Sequence, residues 1–417
     1  MVIASPRFPV DLSLFDGVRH SPTLPSLERT LGHGDRKLQD FCVPVNPYFP
    51  TREIFADLGK RLETILKYYP GGNESVARAL AGALGLDPAT VVLGNGSTEL
   101  ITWIDLLLVK DGLATPVPTF GRWTDHPEEV GQRVRPWPLK AEEDFRLDVD
   151  AFAAFVHRVG AGAAAVCNPN NPTGACLSRG AVLRLLDALA DRDLVVIDES
   201  FLDFADEDEV PSVADEAARR ANVLVLKSLG KNLGLHGLRA GYAVAHPRLA
   251  AKLREALPPW NVNALAEALI LELRAHLAEY EAARRRTVAD RRAMERRLRS
   301  VPGLTVFPSR ANFVYVRIPE PIDGVALRNW LLCEHGYLVR ECGNKLGSDS
   351  RHFRLAVRPP EQGEALIGAQ ASAFGHADQM HKGEWSGGGL SGSQVGRRLD
   401  VGCGTLVTTE CPLQAAR

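Results

Sequence analysis

The sequence predicts an α/β fold: a mainly parallel sheet flanked by helices in a large domain, followed by a smaller α+β domain. Three observations carry this. Short apolar runs at 91–93, 163–167, 194–197 and 223–226 alternate with segments of helical period. Each run stops at a glycine or a polar residue, and parallel sheets bind ligands beyond the carboxyl ends of their strands. After Val301-Pro302-Gly303 the texture changes to strands around a single helix. The expected organisation is an arm over 1–50 joining the small domain, a large domain over 51–260, connecting helices over 261–300 and a small domain over 301–374. A Gly/Ser-rich, disordered tail is expected over 375–417.

Composition removes several function classes. The 417 residues are 45% hydrophobic and 24% charged with a net charge of −2, which gives ample core and no global field for nucleic acid or anionic membrane. No apolar run approaches the length needed to span a bilayer. The first residues, MVIASPRFPVDLSLF, lack the basic start and apolar stretch of a signal peptide. Seven cysteines (Cys42, Cys167, Cys176, Cys333, Cys342, Cys403 and Cys411) are scattered without a C-x-x-C pair. That pattern argues against zinc or a disulfide framework and for a reducing cytoplasm. A cytoplasmic protein with no metal, nucleic-acid or membrane partner is expected.

Residues 1–50 are proline-rich and weakly periodic, with turn formers at Gly32-His33-Gly34-Asp35 and Asn46-Pro47. Over 51–68, Ile54, Phe55, Leu58, Leu62, Ile65 and Leu66 space as an amphipathic helix. Tyr69-Pro70-Gly71-Gly72 then turns the chain into a second helix ending at Leu84. The run 91–99, VVLGNGSTE, reads as strand, glycine turn and helix start, where backbone N–H groups with the Ser97 and Thr98 hydroxyls suit a phosphate. A helix over 100–108 leads to a strand ending near Phe120. Asn171 lies in the turn-dense NPNNPTG loop after 163–167, and Ser178 reads as the N-cap of a helix to about Ala190. The strand over 194–197 ends in Asp198-Glu199. Long helices are expected over 264–299. Their arginines (Arg284, Arg285, Arg286, Arg291, Arg292, Arg296, Arg297, Arg299) read as a solvated face balanced by Glu279, Glu281, Asp290 and Glu295. The small domain follows as strands near 304–307, 312–317, 337–340 and 352–357 around a helix over 324–334.

The stretch 227–242, KSLGKNLGLHGLRAGY, draws these parts together. It sets Ser228, Lys231 and Arg239 in glycine-rich backbone just past a strand. Such a lysine suits a phosphate-bearing carbonyl cofactor: its amine forms a Schiff base while the hydroxyl and guanidinium bind the phosphate. Gly96, Phe120, Asn171, Asp198 and Lys231 each fall just past a predicted strand, so they can converge.

Taken in order, Gly96-Ser97-Thr98, Phe120, Asn171, Asp198, Ser228 with Lys231, Arg239 and Arg354 resemble the class I/II aminotransferase family. These are fold-type I enzymes that use pyridoxal 5′-phosphate. Steps of 27, 33 and 8 positions separate Asn171, Asp198, Lys231 and Arg239, and the resemblance covers residues 30–370. It implies that Lys231 forms the internal aldimine and shuttles the α-proton, and that Asp198 pairs with the pyridine nitrogen. It further implies that Asn171 bonds the ring hydroxyl and Phe120 stacks on the ring. Gly96, Ser97, Thr98, Ser228 and Arg239 are then the phosphate site, the arginine by a charge-assisted contact. Tyr69 matches a tyrosine lent by the neighbouring subunit, which implies a homodimer with shared sites.

On the substrate side, Arg354 in HFRLAVR matches the arginine that grips the substrate carboxylate, beside Asn171. Residues 338–347, LVRECGNKLG, resemble the histidinol-phosphate aminotransferase branch and are most similar to threonine-phosphate decarboxylase. So are PWNVN at 259–263 and DESFLDF at 198–204. Phe201 stands where many transaminases of the family carry a tyrosine, which favours the decarboxylase-like branch. Gly32-His33-Gly34-Asp35 resembles that branch's His-Gly-Gly start, departing by one residue. Arg340, Arg354 and Arg358 give more positive charge than one carboxylate requires, which implies a small phosphorylated or otherwise anionic amino acid or amine. Transamination, the commoner outcome in the family, is placed first and decarboxylation of an O-phospho-amino acid second. A non-catalytic regulator sensing the cofactor is a remote third, because the arm is too short for a DNA-binding domain.

Overall fold

The computed structural model describes residues 7–17, 20–31, 37–206 and 211–375. The loop at Gly32-His33-Gly34-Asp35 and all but the first residue of the expected tail lie outside them. The strands, in chain order, are β1 (Gln39–Asp40), β2 (Val91–Gly94), β3 (Leu113–Val117), β4 (Val134–Pro138), β5 (Ala163–Cys167), β6 (Leu194–Asp198) and β7 (Val223–Ser228). They continue as β8 (Gly241–Ala245), β9 (Thr305–Phe307), β10 (Phe313–Arg317), β11 (Tyr337–Leu338), β12 (Arg340–Glu341) and β13 (His352–Ala356).

Seven strands form a central sheet in the order β2-β8-β7-β6-β5-β3-β4. From β7 to β4 all pairings are parallel, while β8 runs antiparallel between β7 and β2. Side chains alternate between two apolar cores. Val195, Ile197, Val223 and Val225 enter one, and Leu194, Val196, Leu224 and Leu226 the other. All five residues of β5 and of β6 are buried, the pattern of parallel strands covered on both faces. The α/β reading therefore describes this sheet. Ser178 caps its helix, Arg179–Ala188, as expected, its hydroxyl accepting from the Ala181 amide at 3.2 Å.

A second, antiparallel sheet of order β12-β13-β10-β9 is backed by helices Leu277–Arg299, Gly324–His335 and Pro360–Gly375. It has its own core, in which Met294, Leu298, Leu327, Leu331 and Leu366 meet Val314, Val316, Phe353 and Leu355. The arm attaches to this part: β1 pairs parallel with β11, and Phe8, Leu27 and Leu38 pack on Leu332 and Leu338. Among the described residues no helix is long and apolar enough to cross a membrane.

Three local features differ from the sequence reading. β8 was not foreseen, because the glycine-rich stretch before it hides a reversal at Arg239, whose φ is 54°. The helix Arg52–Lys67 forms where expected, but only Ile54 of its apolar residues is fully buried. Phe55, Leu62 and Leu66 are 52%, 42% and 67% exposed, so this apolar face is turned away from the chain's own core. The arginine-rich helix Leu277–Arg299 is not simply a solvated face. Arg291 is 1% exposed and donates to the Phe204 carbonyl at 2.9 Å and to Asp206 Oδ1 at 2.9 Å. Arg284, also buried, donates to the Asp203 carbonyl at 3.0 Å.

Candidate active site

A cavity of about 240 Å³ opens beyond the carboxyl ends of β5, β6 and β7. It is lined by ten of the sequence-selected residues: Ser97, Thr98, Phe120, Asn171, Phe201, Ser228, Lys231, Arg239, Arg340 and Arg354. Asp198 closes β6 in register with Cys167 and Leu226 and is 4% exposed. Gly96 underlies Arg239. Tyr69 is not in this cavity; it is 81% exposed and lies against Trp260 with ring centroids 5.0 Å apart. Arg358 is not there either. Its guanidinium is taken by the Val43 and Val357 carbonyls at 2.8 and 2.9 Å, so the third positive charge expected of it is absent from the cavity.

One end of the cavity is built for a phosphate. Helix Ser97–Leu107 begins at Gly96, φ 79°, without a side-chain cap hydrogen bond, so its first amides and the Ser97 and Thr98 hydroxyls face the same space. A Cβ on Gly96 would stand 2.5 Å from Arg239 Nη2, and one on Gly241 would stand 2.5 Å from the Ser97 nitrogen. Only glycine at these two positions lets the arginine, the helix start and β8 approach so closely. Ser228, the last residue of β7, completes the cradle.

The amine of Lys231 and the rings of Phe120 and Phe201 line the cavity, and Asp198 is buried nearby without lining it. Lys231 Nζ lies 5.4 Å from the Phe120 ring centroid and 4.8 Å from that of Phe201. Burial holds its amine below the usual lysine range, with Arg354 and Arg239 adding to the effect against the opposing charge of Asp198. A lysine so disposed is the kind that condenses with a carbonyl. Both oxygens of Asp198 are engaged: Trp123 Nε1 donates to Oδ2 at 3.1 Å and the Ser200 amide to Oδ1 at 3.0 Å.

The opposite wall is cationic and comes from the second sheet and the arm. Arg354, buried on β13, donates to Asn171 Oδ1 at 2.6 Å and to the Cys42 carbonyl at 2.7 Å. Arg340 on β12 donates to Ser21 Oγ at 3.0 Å and Asn344 Oδ1 at 2.6 Å. Lys345 donates to the Thr119 carbonyl at 3.0 Å, and burial beside Arg340 and Arg354 brings it down to about 8. His20 lines the same wall; burial, then Arg340 and Lys345, lower its pKa. His236 lines the cavity near Lys231, with Nε2 3.1 Å from the Pro44 carbonyl, and burial brings it down to about 4.

The sequence reading did not select His20, Trp123, His236 or Lys345 for the site. Lys345 and His236 carried a signal, since they sit in the LVRECGNKLG segment and in the 227–242 stretch, and Trp123 follows Phe120 by three residues. His20 alone reaches the site from a stretch that carries no motif.

The residues present fit pyridoxal 5′-phosphate: a glycine-cleared helix start able to take a phosphate, a buried amine of lowered basicity, a carboxylate held at both oxygens and a phenyl ring beside the amine. The comparisons agree with this geometry. The family model for aminotransferase class I and II matches residues 52–369. The chain is 31% identical to L-serine phosphate decarboxylase from Sulfurospirillum multivorans over 365 residues, covering 85% of this chain and 92% of that one. It is 32% identical to histidinol-phosphate aminotransferase from Roseiflexus castenholzii over 358 residues, covering 84% and 93%. Its fold is also that of histidinol-phosphate aminotransferase from Sinorhizobium meliloti in complex with pyridoxal-5′-phosphate. There the TM-score is 0.76 at 23% identity, covering 88% of this chain and 98% of that one. The chain therefore belongs to the class I and II aminotransferase family, and its cofactor is pyridoxal 5′-phosphate.

Proposed function

We propose that this protein decarboxylates a small O-phospho-amino acid. The observation that carries this reading is that three cations, Arg340, Arg354 and Lys345, line the same cavity as Lys231. The cradle at Ser97 and Arg239 is a separate anion site at the other end. One carboxylate does not call for so many cations, whereas a phosphomonoester with a carboxylate does. The likeness to L-serine phosphate decarboxylase, at 31% identity, supports this reaction over the transamination placed first from the sequence.

When bound, pyridoxal 5′-phosphate supplies an electron sink for the pair released at the substrate Cα. Lys231 Nζ would hold the cofactor's carbonyl carbon and carry the proton at Cα. Asp198 would serve the ring nitrogen, and Asn171, its Oδ1 taken by Arg354, would offer Nδ2 to the ring oxygen. Ser97, Thr98, Ser228 and Arg239 would hold the cofactor phosphate, and Phe120 would stack on the ring. Arg340, Lys345 and His20 hold the substrate phosphate, and Arg354 orients the carboxylate. The placement of that carboxylate by Arg354 would decide which Cα bond is labilised.

The second reading is transamination of a phosphorylated amino compound, favoured by the 32% identity to histidinol-phosphate aminotransferase. Assay with O-phosphoserine and O-phosphothreonine separates the two: carbon dioxide with an amine product supports decarboxylation, and a keto acid supports transamination. Equal turnover of the unphosphorylated amino acids would remove both.

A homodimer is part of the proposal, as is a cytoplasmic location, which the free thiols of Cys42, Cys167, Cys333 and Cys342 support. The exposed Phe55, Leu62 and Leu66 face and the exposed Tyr69 form the surface for a second copy, Tyr69 reaching that copy's phosphate cradle. Sedimentation should give twice the 45.4 kDa chain mass, and Phe55→Asp with Leu66→Asp should give a monomer. The division into arm, large domain, connecting helices and small domain is proposed on the separate cores of the two sheets.

A further inference from the structure

We propose that Trp123 is a positioning residue that sets the plane of the Asp198 carboxylate. Trp123 is 0% exposed and ends the turn Gly121–Trp123, which starts directly after Phe120. Its own amide donates to the Phe120 carbonyl at 2.9 Å, so the indole and the ring-stacking phenyl sit on one short rigid unit. The indole N–H reaches Asp198 Oδ2 at 3.1 Å while the Ser200 amide holds Oδ1 at 3.0 Å. With a donor on each oxygen, the carboxylate cannot rotate without breaking a buried hydrogen bond.

The same segment is anchored further along. His126 Nδ1 lies 2.6 Å from Asp105 Oδ2, both side chains buried, and Asp105 belongs to the helix Ser97–Leu107 that opens the phosphate cradle. Residues 120–126 thus touch the ring face, the carboxylate for the ring nitrogen and the helix of the phosphate site. One unit keeps all three in register. A purely space-filling role for Trp123, in the apolar core that also holds Leu100 and Leu226, makes a different prediction, because packing does not act through Asp198.

The inference rests on the assignment of Asp198 to the ring nitrogen, and its test uses no substrate, so its outcome is independent of the reaction proposed above. Pyridoxal 5′-phosphate is titrated into the apoprotein of wild type, Trp123→Phe, Asp198→Asn and the double variant. Affinity is read from protein fluorescence, and the bound cofactor's absorbance is followed against pH. Losing one hydrogen bond to a charged group weakens the cofactor affinity of Trp123→Phe about tenfold and displaces its spectral titration. In the Asp198→Asn background the same substitution has little further effect, the signature of two residues acting as one unit. Trp123→Tyr, which returns a donor, recovers part of the spectrum and stands in should Trp123→Phe fail to fold. Equal losses in both backgrounds, or an unchanged spectrum in a folded Trp123→Phe protein, would overturn the proposal. No effect of Asp198→Asn alone would instead remove the assignment of Asp198.

Discussion

Arg354 and Asn171 meet between the two sheets, the guanidinium Nη1 donating to the amide Oδ1 at 2.6 Å across 183 residues of sequence. The proposed substrate-binding residue thereby orients the proposed partner of the ring oxygen. The proposed substrate and cofactor contacts are thus hydrogen-bonded to one another.

Arg354→Lys removes the planar fork that reaches Asn171 and the Cys42 carbonyl at once. Michaelis constants for a phosphorylated substrate should rise about 10- to 100-fold, the loss expected for one or two charge-assisted bonds. Cofactor affinity should fall too, because Asn171 loses its orienting donor. A change in substrate affinity alone would show that the two residues act independently.

Lys231→Ala tests the reactive amine. Wild-type protein reconstituted with the cofactor should absorb near the visible edge and lose that band on hydride reduction. The variant should show an altered band and turnover reduced by at least about 10²- to 10⁴-fold, the span of a positioned proton-transfer group. A wild-type protein that never takes up the cofactor would end the functional reading.

The titration of Lys345 predicts a pH effect on substrate binding. Burial, with Arg340 and Arg354 nearby, brings this lysine down to about 8, so its charge is present below that pH and lost as pH rises through it. The Michaelis constant for a phosphorylated substrate should therefore climb across about pH 8. Lys345→Gln should start with the higher constant and lack that step. Stability runs the other way: the unfolded lysine, with a pKa near 10.5, holds more protons between the two values, so this residue's penalty on folding eases as pH rises from about 8. Parallel pH profiles for the two proteins would exclude Lys345 from phosphate binding.

Asp203 anchors the loop of Lys231 to the long helix. It accepts from Lys227 Nζ at 3.1 Å, Asn232 Nδ2 at 2.9 Å and the Tyr280 hydroxyl at 2.6 Å. Burial opposes its charge, but Lys227 and Tyr280 hold its carboxyl below the usual range. Asp203→Ala leaves Lys227 with Glu199 alone, 3.6 Å away, and Asn232 and Tyr280 without their acceptor, and should destabilise the fold by about 1–3 kcal/mol, measured by urea denaturation. That contribution is present above the ordinary carboxylate range and fades as pH falls below it, so wild type and variant should converge in acid. A difference that persists undiminished in acid would assign Asp203 to packing instead.

Much of the fold was legible because its signals are local. Runs such as 163–167 and 194–197 are apolar throughout since both faces of the sheet are covered, and glycine marks the turn at Gly96 where a side chain would strike Arg239. β8 was not legible, because a reversal at a left-handed arginine has no compositional mark. The apolar face of Arg52–Lys67 was read correctly as a helix stripe, yet period says nothing about what covers the stripe. Among the arginines of Leu277–Arg299, spacing could not separate Arg291, held by Asp206, from its solvated neighbours.

The amino-acid sequence by itself determined the α/β fold, the family and the order of chemistry-bearing residues at strand ends, from Gly96 through Lys231 to Arg354. It could do so because turns, strand ends and helix starts depend on neighbours a few residues away. Only the tertiary structure decided that Lys345 joins the cationic wall, with His20 beside it, while Arg358 is spent on backbone carbonyls. Only it paired Trp123 with Asp198, 75 residues apart, and Arg354 with Asn171, 183 apart. Contacts at such separations are set by how the sheets and the arm pack, and packing leaves no period in the chain.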